Sequence, residues 1–220
     1  MDSSKIDIEN IVLREERPED FRKVEELTRE AFWNVHVPGC NEHYLVHTLR
    51  GAEDFIAELD LLAEIDGEIV GNIIYARSLV IGIDGTVFPV LTFGPLSVLP
   101  ECQKRGIGRK LIEFSTERAR RMGYSAVLIY GDPEYYSRFG FAAAEKFNIR
   151  SSQGLFAAAL QAYELFPGAL NGVSGRFEEG TAYEIDSDLA EEFEKTFPFK
   201  EKLVTPSQAR FMELVQMVHK

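Results

Sequence analysis

Apolar residues along the chain switch between a period of two and a period near 3.6, and each switch marks an element. Residues 11–17 read as a strand, and Pro18, Glu19 and Asp20 then open a helix. Proline is tolerated in a first turn, and acidic side chains there suit the positive end of the helix dipole. Phe21, Val24, Leu27, Ala31 and Phe32 keep helical spacing to about Trp33. A second helix over residues 41–49 has Asn41 at its N-cap position. A β-rich stretch follows. Leu61–Ile65 and residues 69–75 flank Asp66 and Gly67, a strong hairpin signal. Residues 79–83, a second Asp-Gly turn at Asp84 and Gly85, and Val87–Val98 continue it. Helical spacing returns over residues 108–122 and stops at Gly123, a C-cap residue.

Ala126–Tyr130 has the length and apolarity of a buried strand, and Asp132 with Pro133 starts a brief helix ending near Gly140. Residues 147–150 and 155–165 are further strands, and Phe166, Pro167 and Gly168 punctuate the chain. The main domain is therefore expected over residues 1–166, with a partly helical extension over residues 167–220. That extension should hold a strand at residues 181–185, an acidic helix at 188–196 and a last helix after Pro206. The order predicts a mixed α/β domain, antiparallel early, with one β-α-β unit later.

Composition narrows the classes. Hydrophobic residues make up 45% of the 220, enough for a core, and 24 Lys and Arg against 36 Asp and Glu give a net charge of −12. Such a field repels phosphate backbones, so nucleic acid is not expected as a partner. Two cysteines, Cys40 and Cys102, are too few for a disulfide framework and fit a reducing compartment. Residues 1–10 carry three acidic side chains and no apolar core of a signal peptide, and no apolar run reaches the ~18 residues of a membrane helix. The expectation is a cytoplasmic protein without a membrane segment.

The segment that carries chemistry follows the strand ending near Val98. Gln103-x-x-Gly106-x-Gly108 leads directly into a helix. Glycines let a ligand approach the backbone, and the free N–H groups of a helix start attract anions. Residues 103–121 hold seven basic side chains against two acidic ones, a local +5 in a chain of −12, which favours a discrete small polyanion. The pattern is not a Walker loop, because no Gly-x-x-x-x-Gly-Lys-Ser/Thr string exists. A dinucleotide fingerprint fails too, since Leu111 stands where its third glycine is needed. His43 and His47 share a helix face, but Tyr44 replaces the zincin glutamate and no third ligand cluster follows, so no metal is expected. Cys102 lacks any sign of the activating histidine that a nucleophile needs.

This segment resembles the acetyl-CoA-binding motif of the GNAT superfamily of N-acetyltransferases, Gln/Arg-x-x-Gly-x-Gly/Ala after the fourth strand. Tyr136-x-x-x-Gly140-Phe141 resembles that family's later Tyr-x-x-x-Gly-Phe element. The element order fits from Ile11 to about Leu165, within the family's predicted-acetyltransferase branch. The resemblance implies a mixed, largely antiparallel sheet with splayed central strands and helices on both faces. It implies that Leu96, Ser97 and Val98 line the pantetheine arm of acetyl-CoA. The pyrophosphate would sit on Gln103, Lys104, Arg105, Gly106, Ile107 and Gly108, with Arg109 nearby. Direct transfer of acetyl to a primary amine in a ternary complex is the implied reaction, with Leu96 or Val98 N–H facing the oxyanion and Tyr136 as general acid. Spacing to Gly140 and Phe141 favours Tyr136 over Tyr135 for that role, and a packing ring is the alternative reading. Tyr135 lies ~100° around a helix, so only one of the two is expected to face the cleft. Glu42, Glu58, Asp60 and Glu64 are conceivable bases, with none assigned, and Trp33, His36 and His43 are candidate walls of the acceptor pocket. The acceptor is unidentified; the acidic field suits a small cation. A catalytically silent acyl-CoA sensor is the alternative class, and monomer and homodimer stay open.

Overall fold

The structure, a computed structural model, describes residues 10–220; residues 1–9, which carry the acidic start read above, lie outside it. Strand β1 (Val12–Glu15) leads through a 3-10 turn into α1 (Phe21–Phe32), and α2 (Glu42–Leu49) follows. Then come β2 (Leu61–Ile65), β3 (Glu68–Ile81) and β4 (Val87–Val98), the helix α3 (Ile107–Arg121) and β5 (Ala126–Tyr130). Short elements complete the chain: α4 (Pro133–Tyr136), β6 (Ala142–Ala143), β7 (Ile149–Arg150), β8 (Phe156–Ala157), β9 (Leu160–Glu164) and β10 (Gly175–Glu178). Last are α5 (Ser187–Glu194), α6 (Pro206–Gln216) and β11 (Val218–His219).

The main sheet runs β1-β2-β3-β4-β5-β9-β6, with β10 beside the far end of β3. Its ladders are antiparallel except β4–β5 and β10–β7. Side chains on β2 and β3 alternate between two covered faces. Leu61, Ala63, Ile73 and Tyr75 pack with Ile107 and Leu111 of α3, while Leu62, Ile74 and Ala76 pack with Val24 of α1 and Val46 and Leu49 of α2. A strand buried on both faces has no polar side, which is why this stretch reads as nearly continuous apolar sequence. The mixed, largely antiparallel sheet with helices on both faces is as expected.

Several boundaries differ. Residues 69–75 and 79–81 lie on one strand, β3, because Arg77 and Ser78 continue the ladder to Leu91 and Val90 of β4, while Gly82 and Ile83 fall in the turn beyond it. The strand expected over 155–165 breaks into β8 and β9, where Ala158 N–H turns away to the Met217 carbonyl at 2.9 Å. The strand expected at 181–185 is a 3-10 turn, Thr181–Tyr183. The real strand is β10, with Phe177 its only buried residue, too short an alternation to show as a period. Gly175 opens it with φ 148°, and a Cβ there would lie 2.1 Å from the Ile81 carbonyl oxygen, so the two backbones meet only because it is glycine. Through β10 the segment after Phe166 joins the main sheet, pairing Phe177 with Val80.

Candidate active site

The cleft begins where β4 and β5 part. They share a single registered pair, Leu91 with Val127, and diverge beyond it. Two residues of β4, Gly94 and Pro95, stand opposite Ile74 alone, between the pairs Phe93–Tyr75 and Leu96–Ile73. That bulge bends β4 away from its parallel neighbour, and Pro95 has no N–H to offer it. Past the bulge the ladder to β3 resumes, and Leu99 N–H donates to the Val70 carbonyl at 3.0 Å. Alternation then turns Ser97 N–H toward β3 and leaves those of Leu96 and Val98 facing the gap. The Ser97 hydroxyl is also committed, 3.0 Å from Thr28 Oγ1 on α1.

The loop after β4 closes this end of the gap. Gln103 Nε2 donates to the Val98 carbonyl at 3.1 Å, so its side chain braces the loop. Lys104 and Gly106 adopt positive φ of 61° and 88°, which turns the chain into α3 with Gly106 as its N-cap. Lys110 N–H bonds the Gly106 carbonyl at 3.0 Å, and the N–H groups of Ile107, Gly108 and Arg109 precede the helix's own ladder. The Ile107 side chain is core. A Cβ on Gly108 would meet Tyr135 Oη at 2.9 Å, Leu96 Cδ2 at 3.7 Å and Val98 Cγ2 at 3.9 Å. Glycine at this point keeps the helix terminus open to the gap. The terminus, the outward N–H groups of β4 and the glycine cradle together suit an extended ligand with an anionic end, such as the pantetheine and pyrophosphate of coenzyme A. Among the described residues no group of three or more metal-ligating side chains exists.

Residues 55–143 match a sequence model described as an acetyltransferase (GNAT) domain. The uncharacterised N-acetyltransferase YhbS of Escherichia coli K12 is 31% identical over 169 residues, covering 76% of this chain and 95% of that one. The chain belongs to the GNAT family of acetyltransferases. A crystal structure of E. coli YhbS in complex with CoA superposes with a TM-score of 0.69 at 27% identity, over 80% of this chain and 93% of that one. A GNAT acetyltransferase from Brucella melitensis in complex with acetyl-CoA gives 0.64 at 29% identity, over 79% and 97% of the two chains.

On this GNAT scaffold the gap widens into a cavity of about 720 Å³ bordered by Phe93, Leu96 and Val98 of β4, by Gly131 and Asp132, and by Tyr135 and Tyr136. Contrary to the expectation that one tyrosine would face away, both line it. Their rings meet edge to face at 5.0 Å, Tyr135 reaching toward Gly108 and Tyr136 lying on Gly131. Burial pushes the Tyr136 phenol above its ordinary range, with a smaller push from Tyr135, so it stays protonated at neutral pH.

The seven basic side chains do not form one patch. Arg118 pairs with Glu15, Arg120 and Arg121 with Glu117, all on the distal half of α3. Lys104, Arg105 and Arg109 stand at the terminus, and Arg109 lies 3.3 Å from Glu113 and over the Phe139 ring at 5.1 Å.

Of the three candidate wall residues only His36 lines the cavity, stacked on Phe211 of α6 at 4.6 Å. Trp33 Nε1 donates to the Glu201 carbonyl at 2.9 Å, and buried His43 sits 3.4 Å from Cys40 Sγ. Cys102 is buried and its thiol is raised by that burial. Glu42 lines the cavity, Glu64 pairs with Arg14 at 2.5 Å, and buried Asp60 accepts from Asn72 Nδ2 at 2.8 Å. Glu58 is exposed and Glu179, which the sequence did not single out, borders the cavity.

Proposed function

We propose that the protein transfers an acetyl group from acetyl-CoA to a primary amine by direct attack in a ternary complex. The observation that carries this reading is the parted β4–β5 edge, whose outward N–H groups run from a cavity to the open N-terminus of α3. Relatives of 27–29% identity with CoA or acetyl-CoA in their structures support the cosubstrate. In this reading Leu96 and Val98 carry the pantetheine arm along β4, with Ser97 between them fixing the strand to α1. The N–H groups from Gly106 to Arg109 take the pyrophosphate, with Gln103 bracing the loop and Lys104, Arg105 and Arg109 balancing charge. One of the outward N–H groups also faces the oxyanion as the amine adds to the thioester carbonyl. Tyr136 gives its proton to the departing thiolate.

Residues 1–166 hold the transfer site, and residues 167–220 wall the acceptor side. Release of free thiol from acetyl-CoA, followed across a panel of primary amines and corrected for hydrolysis, tests the reaction. Amine-dependent release is the expected result. A raised melting midpoint with acetyl-CoA but no release with any amine would make the protein an acyl-CoA sensor instead.

A further inference from the structure

Apart from the tyrosines, five titratable side chains border the cavity: His36, Glu42, Asp132, Glu179 and Arg210. Four are paired. His36 Nδ1 lies 2.8 Å from Glu42 Oε1, and Arg210 Nε lies 3.7 Å from Asp132 Oδ2. The Glu179 carboxylate has no ion pair and no side-chain hydrogen bond among the described residues. Its backbone is nonetheless fixed, since it directly follows β10 and its carbonyl accepts from Ser78 Oγ at 3.1 Å. Much of the remaining wall is apolar, with Leu45, Leu96, Phe211, Leu214 and Val215 prominent. An unpaired carboxylate beside an apolar cavity calls for a cation brought by the ligand.

We infer that the acceptor is a monocationic primary amine on an apolar body, and that Glu179 receives its ammonium group and takes its proton. The inference rests on the acetyl-transfer reading above. Glu179 accepts one proton from the ammonium, and the neutral amine then forms the C–N bond as its lone pair adds to the thioester carbonyl. The C–S bond breaks, the thiolate takes the Tyr136 proton, and the tyrosinate is restored by the second proton leaving nitrogen. Glu179 returns its proton to solvent. A polyamine fits poorly, because its further charges would meet only carboxylates that already have partners.

The titratable groups that feel Glu179 are Tyr130 at the end of β5 and Tyr183 in the turn beyond it. Both are phenols, raised chiefly by burial and further by Glu179. Burial pushes the Glu179 carboxyl up to about 7. Below that pH it is protonated and neither holds an ammonium nor takes its proton, so kcat/KM falls as pH drops. Above it kcat/KM is level until the amine itself deprotonates near ~10.

The test uses the full chain, acetyl-CoA and phenethylamine, with spermidine as the competing probe and Glu179→Gln as the variant. Wild type should prefer phenethylamine and show the acid limb near pH 7. The variant should keep its melting shift with acetyl-CoA yet lose ~10²–10⁴-fold in kcat/KM at pH 7.5. Its residual rate should climb about tenfold per pH unit, following the free amine in solution. The inference is overturned by a variant within about threefold of wild type. It is equally overturned by a variant whose rate still levels off above pH 7 as wild type does, or by a preference for spermidine. Those results leave amine transfer standing. Wild type that releases no thiol with any amine defeats the transfer reading itself, and this inference with it.

Discussion

A Cβ on Gly131 would lie 2.2 Å from Tyr136 Cε2, so the phenol ring rests directly on the backbone at the end of β5. Phe93 and Phe141 hold its other sides, with ring centroids 5.9 and 5.5 Å away. Ring and hydroxyl are therefore separable by mutation. Tyr136→Phe keeps the packing and removes the donor, and single-turnover thiol release should slow by ~10²–10⁴-fold, or about 3–5 kcal/mol of barrier. Melting temperature and acetyl-CoA affinity should hardly move. Tyr135→Phe removes a hydroxyl that stands by Gly108, so its effect should fall on acetyl-CoA binding more than on that rate. Gly131→Ala should lower both rate and stability, the latter by ~1–3 kcal/mol, because the ring must leave its seat. A Tyr136→Phe rate equal to wild type would make the residue a packing ring and put the acid elsewhere.

At the scale of elements, α3 divides into a binding end and a structural end. Arg118 lies ten residues beyond Gly108, ~15 Å along the axis, and is occupied by Glu15. Gly108→Val should abolish the melting shift given by acetyl-CoA, since a branched side chain would enter the space between Tyr135, Leu96 and Val98. Affinity should weaken as salt rises and Debye screening shortens from ~10 Å at 0.1 M to ~3 Å at 1 M. Dephospho-coenzyme A should bind less tightly than coenzyme A. Alanine at Arg120 or Arg121 should leave affinity unchanged in the same titration, because these side chains face Glu117 far from the terminus. The loop before α3 was legible in the sequence because its function depends on glycines at fixed local spacing. Strands β2, β4 and β5 were legible because their apolar runs are nearly continuous, whereas β3 was read as two because Arg77 and Ser78 interrupt its run. The splitting of β8 from β9 was not, since it depends on a bond to Met217, some sixty residues away in the chain. Nor was the position of Glu179, which depends on β10 pairing with β3, about a hundred residues earlier.

Across the whole molecule, the segment after Phe166 is fastened to the first two helices by a buried charged group. Arg29 Nη2 and Glu194 Oε1 are 2.5 Å apart, and His43 Nε2 lies 3.1 Å from Glu194 Oε2 without the alignment of a full hydrogen bond. Phe193 and Phe197 enclose the histidine. Cys40, His43 and Glu194 have the residue types of a cysteine-protease triad, yet Cys40 is 6% exposed and its thiol is pushed up to about 12, chiefly by burial. This is a fastening, not a nucleophile. Glu194→Ala leaves Arg29 buried without its partner and should cost on the order of 3 kcal/mol, a fall in Tm of ~6–12 °C by calorimetry. Because α6 lines the same cavity as β4, the variant should also bind amine acceptors more weakly than it binds acetyl-CoA.

The parted edge of β4 sorts its amide protons by parity. Ser97 and Leu99 N–H are held by β3, whereas those of Leu96 and Val98 face open space. In deuterium, the even-numbered pair should exchange early and the odd-numbered pair should wait for opening of the sheet. Acetyl-CoA should slow Leu96 and Val98 far more than their neighbours, turning an alternating trace into a uniform one. Equal slowing at all four positions would mean that the ligand only stabilises the fold and does not lie along this strand.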